Sequence, residues 1–373
     1  MRICVRPSGS RDNAPGAHRE TPRLGSRRLA PLAAGAAVLL LPAAVVAHGQ
    51  VPVEPTPAIL IAGWSFLVDV WLPVILMALV YWQARSMVNR RHPANPVPRW
   101  RLWSWLAGLG AIILALASPI EFYDTTLFSV HMVQHLLLSF VAAPLLVLAA
   151  PITLLLRVAS PVARRRWILP VLNSRVVGVI AQPIVAWALF AAVMWFTHFS
   201  PLFDAALEDF TLHRLEHALF LVSALLFWWP VIGADPSPHR IGYGGRILYL
   251  AVGMPLSSFL GLVIFSAPTV LYPHYATLER SWGPTPLQDQ QWAGGIMWAG
   301  GDAAFVVALL LTVAAWMRHE ERKAVREDKR LARQRAARQA VASSAALPRQ
   351  PVTSVPPVAA VGPAVTAEES PPA

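Results

Sequence analysis

Two pairs of histidines are the residues of this sequence best suited to chemistry. His131 and His135 occur in the segment HMVQH, and His213 and His217 occur in HRLEH. An i,i+4 spacing places both imidazoles of a pair on one face of a helix, about 6 Å apart along its axis. Each pair is therefore predicted to offer two nitrogen ligands to one ion.

Three further side chains are predicted to lie at the same level as these pairs. His198 ends an apolar segment, with Met194 one turn before it on the same face, and Glu216 stands between the histidines of HRLEH. Imidazole suits copper, zinc or iron, a thioether favours Cu(I), and a carboxylate can orient an imidazole or bind directly. For a single histidine at a helix end, a bond to a backbone carbonyl is the favoured explanation. The matched pairs favour a shared metal pocket.

Other ionisable residues have weaker claims to this pocket. Asp69 and Asp302 fall inside apolar segments, where a charge is costly and a function is expected. Asp302 is predicted to bond across helices or to join the pocket, and the structural role is favoured because it lies deeper than the histidines. His48 is an accessory candidate, because cleavage before it would leave an amino group and an imidazole that can together hold copper.

The composition indicates a membrane protein. Apolar residues make up 55% of the 373 residues and charged residues 14%, against roughly 45–50% and about 25% in soluble domains. The net charge of +11 is spread over short links and a terminal run without aromatic residues between the charges, which argues against nucleic acid as a partner. The single cysteine, Cys4, excludes a disulfide framework and a cysteine metal motif within this sequence.

The apolar residues are concentrated in blocks that approach the length of a bilayer span. We predict an all-α, polytopic membrane protein with seven transmembrane helices in the membrane domain 58–317. The predicted spans are Ala58–Trp82, Leu102–Ser118, Thr126–Ala149, Val176–Phe196, Leu212–Ile232, Ile247–Phe265 and Trp292–Met317.

The two ends of the chain differ from this domain. Residues 1–47 contain a basic stretch, a short apolar run and small residues before His48, which predicts a leader with a signal peptide; an uncleaved eighth helix is the alternative. Residues 318–373 are predicted to form a charged cytoplasmic helix followed by a disordered tail.

The distribution of arginine predicts the orientation in a bacterial inner membrane. The first, third and fifth links carry most of the arginines and are assigned to the cytoplasm, whereas the alternate links carry acidic residues such as Asp204 and Glu279. The mature N-terminus is therefore expected outside, the C-terminus inside, and both histidine pairs near the outer face. The lipid bilayer is the first expected partner.

Longer segments around the histidines resemble the membrane-embedded CtaG family of cytochrome c oxidase assembly factors. The similar stretches are HMVQHLLLSFVAAPLLVLAAP, WFTHFSPLFDAAL, HRLEHALFLVSALLFWWPVIG, LYPHYATL and DQQWAGGIMWAGGD. The resemblance implies a multi-pass protein that is not an enzyme and that matures a haem-copper oxidase by handling copper for its active centre. Its expected partners are an oxidase subunit and a periplasmic copper donor.

Three other functions remain open on the residues alone. A histidine-box membrane metalloenzyme of the oxygenase or desaturase type also uses HxxxH, but this sequence has no adjacent His-His pair. A haem-binding cytochrome usually takes one histidine per helix. A copper transporter would place its ligands at the midplane of broken helices, deeper than the predicted histidine layer.

Overall fold

The structure is a computed structural model that describes residues 54–346, and those residues contain helices and no strand. The predicted all-α membrane fold is thereby confirmed. In chain order the helices are α1 Pro57–Ala62, α2 Val68–Arg91, α3 Arg99–Leu116, α4 Pro119–Tyr123, α5 Phe128–Leu136, α6 Ala143–Leu148, α7 Pro151–Val158, α8 Pro161–Ala163, α9 Leu169–Leu172, α10 Arg175–Ile180, α11 Pro183–His198, α12 Leu202–Glu208, α13 Phe210–Ile232, α14 Tyr243–Ser266, α15 Pro273–Thr277 and α16 Pro286–Ala346. Two π-helical segments, Leu137–Ala142 and Arg164–Ile168, follow α5 and α8.

Six helical segments of the described chain are long and apolar enough to cross a membrane, and α11 with α12 makes a seventh if that bent pair counts as one span. Their outer faces carry large apolar side chains, such as Leu79 and Val307, that are more than half exposed. A soluble protein would bury such a surface, whereas in a membrane protein it faces lipid. The expected count of seven spans thus depends on α11 and α12.

The first span lies further along the chain than the apolar pattern predicts. The predicted block Ala58–Trp82 breaks after α1 at Gly63, and the long helix begins only at Val68. Residues 63–67 between them are not helical, and the indole of Trp71 in the long helix donates to the carbonyl of Ser65. Hydropathy runs on across this break, so it did not reveal the break.

The fourth predicted span, Val176–Phe196, is also divided. Gln182 is extended, with ψ of 128°, and Pro183 starts α11 as its first residue. A proline disfavours the helical conformation of the residue before it and is well placed at the first helical position. A second break after His198 turns the chain by 70° into α12.

Helix α13 occupies the centre of the bundle and packs against α11, α12, α6 and the π-helical segment after α5. Its aromatic residues Phe227 and Trp228 belong to the largest apolar core. The Trp228 indole donates to the carbonyl of Ser139, 2.8 Å away in the π-helical segment. The helix that carries His131 and His135 is thereby bonded to the helix that carries the other pair.

Helices α14 and α16 approach closely through two glycines. A Cβ on Gly294 would lie 2.5 Å from the backbone nitrogen of Phe265, and one on Gly261 would lie 2.7 Å from that of Trp298. Small residues at these positions let the two backbones pack together, as at many helix contacts in membranes. The glycine-rich start of α16 is thus a packing surface.

The chain divides into two compact units between Trp316 and Met317. The first unit contains the bundle. In the second, the described side chains from Met317 to Gln339 are exposed and rich in charge, and Lys323 pairs with Glu320 at 3.7 Å. The predicted leader, residues 1–47, and the tail beyond Ala346 lie outside the described residues.

Candidate metal centre

The two histidine pairs lie near the N-termini of neighbouring helices that begin at the same end of the bundle. His131 and His135 belong to α5, and His213 and His217 belong to α13. Within each pair the imidazole centroids are 4.3 Å apart. The i,i+4 spacing therefore brings the rings of each pair together on one helix face.

The two pairs also meet each other. The ring of His131 stacks on that of His213 at 5.3 Å, and the ring of His135 lies 5.7 Å from that of His217. We call His131, His135, His213 and His217 the histidine cluster. The structure thus brings together four of the five histidines that the sequence singles out as ligands.

The imidazoles of this cluster are buried with few partners. None of the four is more than 5% exposed. Neither ring nitrogen of His131, His135 or His217 has a hydrogen-bond partner in the described chain. A buried polar atom without a partner costs about 1–3 kcal/mol, so six such nitrogens in one place are a strong reason to expect a ligand between them.

Two carboxylates complete the surroundings of the cluster. Glu216 Oε2 lies 4.0 Å from His131 Nε2, and Asp124 Oδ2 lies 3.6 Å from His213 Nε2. Potential ligand atoms lie within 4.8 Å of one another in two groups, one with Asp124, His131 and His213 and one with His131, His135 and Glu216. The two groups share His131. Each combines imidazoles with one carboxylate, so each could hold a divalent or a monovalent cation.

Asp124 is a residue of the site that the sequence pattern does not single out. The short helix α4 folds the link that contains this residue over the cluster and leaves Asp124 1% exposed. Burial, together with the nearby charge of Glu121, raises the pKa of Asp124 well above its usual range. Glu121 itself accepts a hydrogen bond from the Gln134 amide at 2.7 Å. The available signal was the PIEFYD segment, which holds two acids just before the histidine helix.

Asp289 fixes the start of the helix that carries the first pair. Its carboxylate accepts from the backbone nitrogen of Phe128 at 2.6 Å and from the hydroxyl of Ser129 at 2.5 Å. An acidic side chain at these free N–H groups caps the helix and suits the positive end of its dipole. Here the cap comes from α16, a distant part of the sequence.

His198 adjoins the histidine cluster, and one of its nitrogens is already engaged. Its Nδ1 lies 2.7 Å from the carbonyl of Met194, while Nε2 has no partner in the described chain. The ring lies 6.2 Å from that of His135 and stacks on Phe203. Met194 is buried one turn away, as the spacing predicts. These two residues line a small cavity beside the cluster.

The remaining candidates are placed elsewhere. Asp302 accepts a hydrogen bond from the Ser258 hydroxyl at 2.5 Å, which is the bond across helices that was favoured. Asp69 is partly exposed in the first turn of α2 and pairs with Arg214. His274 is bonded to the carbonyl of Thr125 at 2.9 Å. His48 lies outside the described residues.

This donor set fits a copper ion on chemical grounds. Neutral imidazoles bind borderline and soft metals, and no rearrangement is needed to free the nitrogens of His131, His135 and His217. The surrounding aromatic rings, Phe203 and Phe220 among them, exclude water from one side. Glu216 and Asp124 can balance the charge of an ion or accept a hydrogen bond from an imidazole N–H.

One protein family and three relatives match this chain. Residues 79–319 match the family described as cytochrome c oxidase caa3 assembly factor. Uncharacterized proteins of Mycobacterium bovis and Mycobacterium tuberculosis are each 33% identical over 287 residues, which are 75% of this chain and 43% of the relative. One of Mycobacterium leprae is 29% identical over the same length. The chain therefore spans less than half the length of these relatives. No solved structure matches it significantly.

Proposed function

Because the chain belongs to the cytochrome c oxidase caa3 assembly factor family, we propose that it binds copper at the histidine cluster and passes it to a haem-copper oxidase subunit during assembly. The family match over residues 79–319 confirms the resemblance found in the sequence. Copper is the cargo in this proposal. In this proposal copper arrives from a periplasmic donor and leaves for the oxidase. This route requires the cluster to face the extracytoplasmic side, as the distribution of arginine predicts.

The observation that carries this proposal is the set of unpartnered imidazole nitrogens. His131, His135 and His217 present them in the buried interior of the bundle. A purely structural histidine is expected to donate one N–H to a carbonyl, as His274 does to Thr125. The cluster lacks such bonds at three of its residues. Metal ligation supplies the missing partners.

Placement near the helix ends suits transfer between proteins. His131 and His213 lie in the first turns of their helices, and Asp124, which directly follows the short helix α4, contacts His213. A transporter would hold its ion near the middle of the bundle and would open alternately to one side of the membrane and then to the other. We therefore prefer handover at one face to transport across the membrane.

One feature favours a second function, a histidine-box metalloenzyme. Each potential ligand group combines two histidines with one carboxylate, which is the ligand set of mononuclear non-haem iron oxygenases. The two functions are distinguished by the metal content of the protein purified from cells that were grown with both copper and iron. Copper without iron supports the assembly function, whereas iron without copper supports the enzyme.

The direct test replaces ligands across the two helices. His135→Ala and His217→Ala should each lower the copper retained after loading with Cu(I). The double variant should lose little more than the worse single variant, because ligands of one centre act together. His239→Ala is the control, since its ring is bonded to Gly178 away from the cluster. Full copper retention in the double variant would exclude the shared site.

The cellular test asks whether this copper reaches the oxidase. Deletion of the gene should lower haem-copper oxidase activity, leave haem synthesis intact and be partly reversed by added copper. The His135→Ala, His217→Ala double variant should fail to complement, and His239→Ala should complement fully. Unchanged oxidase activity in a deletion strain that depends on that oxidase would refute the assembly role.

A further inference from the structure

A small cavity beside the histidine cluster is lined by three methionines. Met132 comes from α5, Met194 from α11 and Met297 from α16, and none of them is more than 5% exposed. The cavity volume is about 20 Å³, which is room for one water-sized or ion-sized occupant. His135 and His198 also line it. We call this cavity the thioether chamber.

The chamber contains polar atoms with no partner. The hydroxyls of Ser139 and Ser257 line it, are at most 2% exposed and have no hydrogen-bond partner in the described chain. Neither ring nitrogen of His135 has a partner, and the Nε2 of His198 has none. A cavity that stays empty is normally lined by apolar groups. The unpartnered polar atoms of this cavity therefore indicate that it is suited to a ligand.

The chemistry of the lining selects a soft, monovalent ion. Thioethers are neutral, polarisable ligands that prefer Cu(I) to Zn(II) or Mg(II). The described residues that line the chamber include no carboxylate, in contrast to the histidine cluster with Glu216 and Asp124. An uncompensated charge in an apolar site is costly, and the cost rises steeply with the charge. A divalent ion is therefore disfavoured in the chamber.

We propose that the thioether chamber is a Cu(I) site of its own, bound by Met132, Met194 and Met297, and joined to the histidine cluster through His135. His135 belongs to both, since its ring lies 5.7 Å from that of His217 and also lines the chamber. An ion can thus pass between the two sites without leaving the protein. The inference rests on the proposed function only in taking copper as the cargo.

The π-helical segment after His135 is part of the same arrangement. It begins at Leu137 and contributes Ser139 and Phe140 to the chamber wall. A π-helical turn shifts the following side chains relative to a regular helix, and such turns are frequent at functional sites. The Trp228 indole donates to the backbone carbonyl of Ser139, whereas the hydroxyl of this chamber-lining residue has no partner in the described chain.

The test counts silver ions, because Ag(I) is a redox-inert probe of Cu(I) sites. The purified wild-type protein should retain two Ag(I) per chain after desalting. The Met132→Leu, Met194→Leu, Met297→Leu variant should retain one, since leucine conserves volume and removes the thioether. Met254→Leu is the matched control, because Met254 packs against the same core outside the chamber lining. It should retain two.

A second variant separates this inference from the proposed function. His131→Ala with His213→Ala removes cluster ligands that do not line the chamber. Retention of one Ag(I) by this variant supports two separate sites. Loss of both ions from either multiple variant shows a single site and overturns the chamber. Unchanged silver content in the histidine variant, with loss of one Ag(I) in the methionine variant, supports the chamber and refutes the cluster.

A measurement without substitution guards against misfolded variants. In selenomethionine-labelled wild-type protein loaded with Cu(I), X-ray absorption at the selenium edge should show a copper neighbour at a minority of the eight methionines. Loading with Zn(II) should show no zinc neighbour. The proposal would be overturned if no selenium atom had a copper neighbour. It would also be overturned if the triple leucine variant retained as much silver as the wild type.

Discussion

The carboxylate of Asp289 lies 2.5 Å from the hydroxyl oxygen of Ser129, although 160 residues separate them in sequence. This bond and the one to Phe128 cap the helix that begins three residues before His131. The glycine-rich helix α16 therefore sets the position of the first histidine pair. Packing of α16 and geometry of the histidine cluster are coupled through this contact.

We predict that Asp289→Ala lowers both stability and copper retention. Loss of a helix cap typically costs about 1–2 kcal/mol, and the first turn of α5 would fray at His131. Unfolding in detergent and elemental analysis after copper loading measure the two effects. The matched control is Asp235→Ala, whose carboxylate caps α7 in the same way, 3.1 Å from Ile152 N and 2.6 Å from Thr153 N.

Asp235→Ala should cost similar stability and leave copper retention unchanged, because α7 carries none of the proposed ligands. If both variants lost copper equally, general destabilisation would explain the result and Asp289 would have no special relation to the cluster.

A second prediction compares two adjacent glycines. Gly294→Ala should destabilise the bundle by about 1–3 kcal/mol, because its Cβ would meet the backbone of Phe265 at 2.5 Å. Gly295→Ala should be neutral or slightly stabilising, since its nearest contact is a side-chain atom of the same Phe265 at 3.8 Å. The midpoint of detergent unfolding reports both. If the Gly294→Ala variant were as stable as the Gly295→Ala variant, α14 and α16 would be able to move apart at no cost in stability.

The histidine pairs were predictable because their information is local. A spacing of four residues fixes the face of a helix, and the predicted fifth block, Leu212–Ile232, differs from α13 only at its start. The third predicted block, Thr126–Ala149, likewise spans α5 to α6 within two residues. Spacing and hydropathy therefore placed both pairs at one end of their helices.

The acidic part of the site could not be read in this way. Asp124 reaches His213 because α4 folds back over the helix ends, and that path depends on contacts made across the bundle. Asp289 and Asp69 also acquire their partners only in three dimensions, at Ser129 and Arg214. The breaks at Gly63 and Pro183 were visible as residues, but a hydropathy average does not register them.

The third prediction concerns the ion pair of Asp69 and Arg214, which joins α2 to α13 beside His213. Both side chains are about one-fifth exposed, so the pair is only partly screened by water. A double-mutant cycle with Asp69→Asn and Arg214→Gln should give a coupling energy of about 0.5–3 kcal/mol. The exposed pair of Lys323 and Glu320 is the control, with coupling within about 0.5 kcal/mol of zero. Coupling as small at Asp69 would mean that the pair does not hold α2 in place.

The last prediction tests which side of the membrane the histidine cluster faces. Trp282 packs on Tyr123 at 5.8 Å, which places the link around Ser281 at the histidine end of the bundle. His239, bonded to Gly178, and His92 lie in arginine-containing links. All three positions are exposed and suit single cysteines in a background where Cys4 is replaced by serine.

In spheroplasts a membrane-impermeant maleimide should label Ser281→Cys, whereas His92→Cys and His239→Cys should react only after the membrane is opened. The physical reason is the retention of arginine-rich links in the cytoplasm. Labelling of all three after detergent treatment controls for reactivity. The reverse pattern, with His92→Cys labelled and Ser281→Cys protected, would place the cluster on the cytoplasmic side. Copper from a periplasmic donor could then reach it only by crossing the bundle, and handover at the outer face would be refuted.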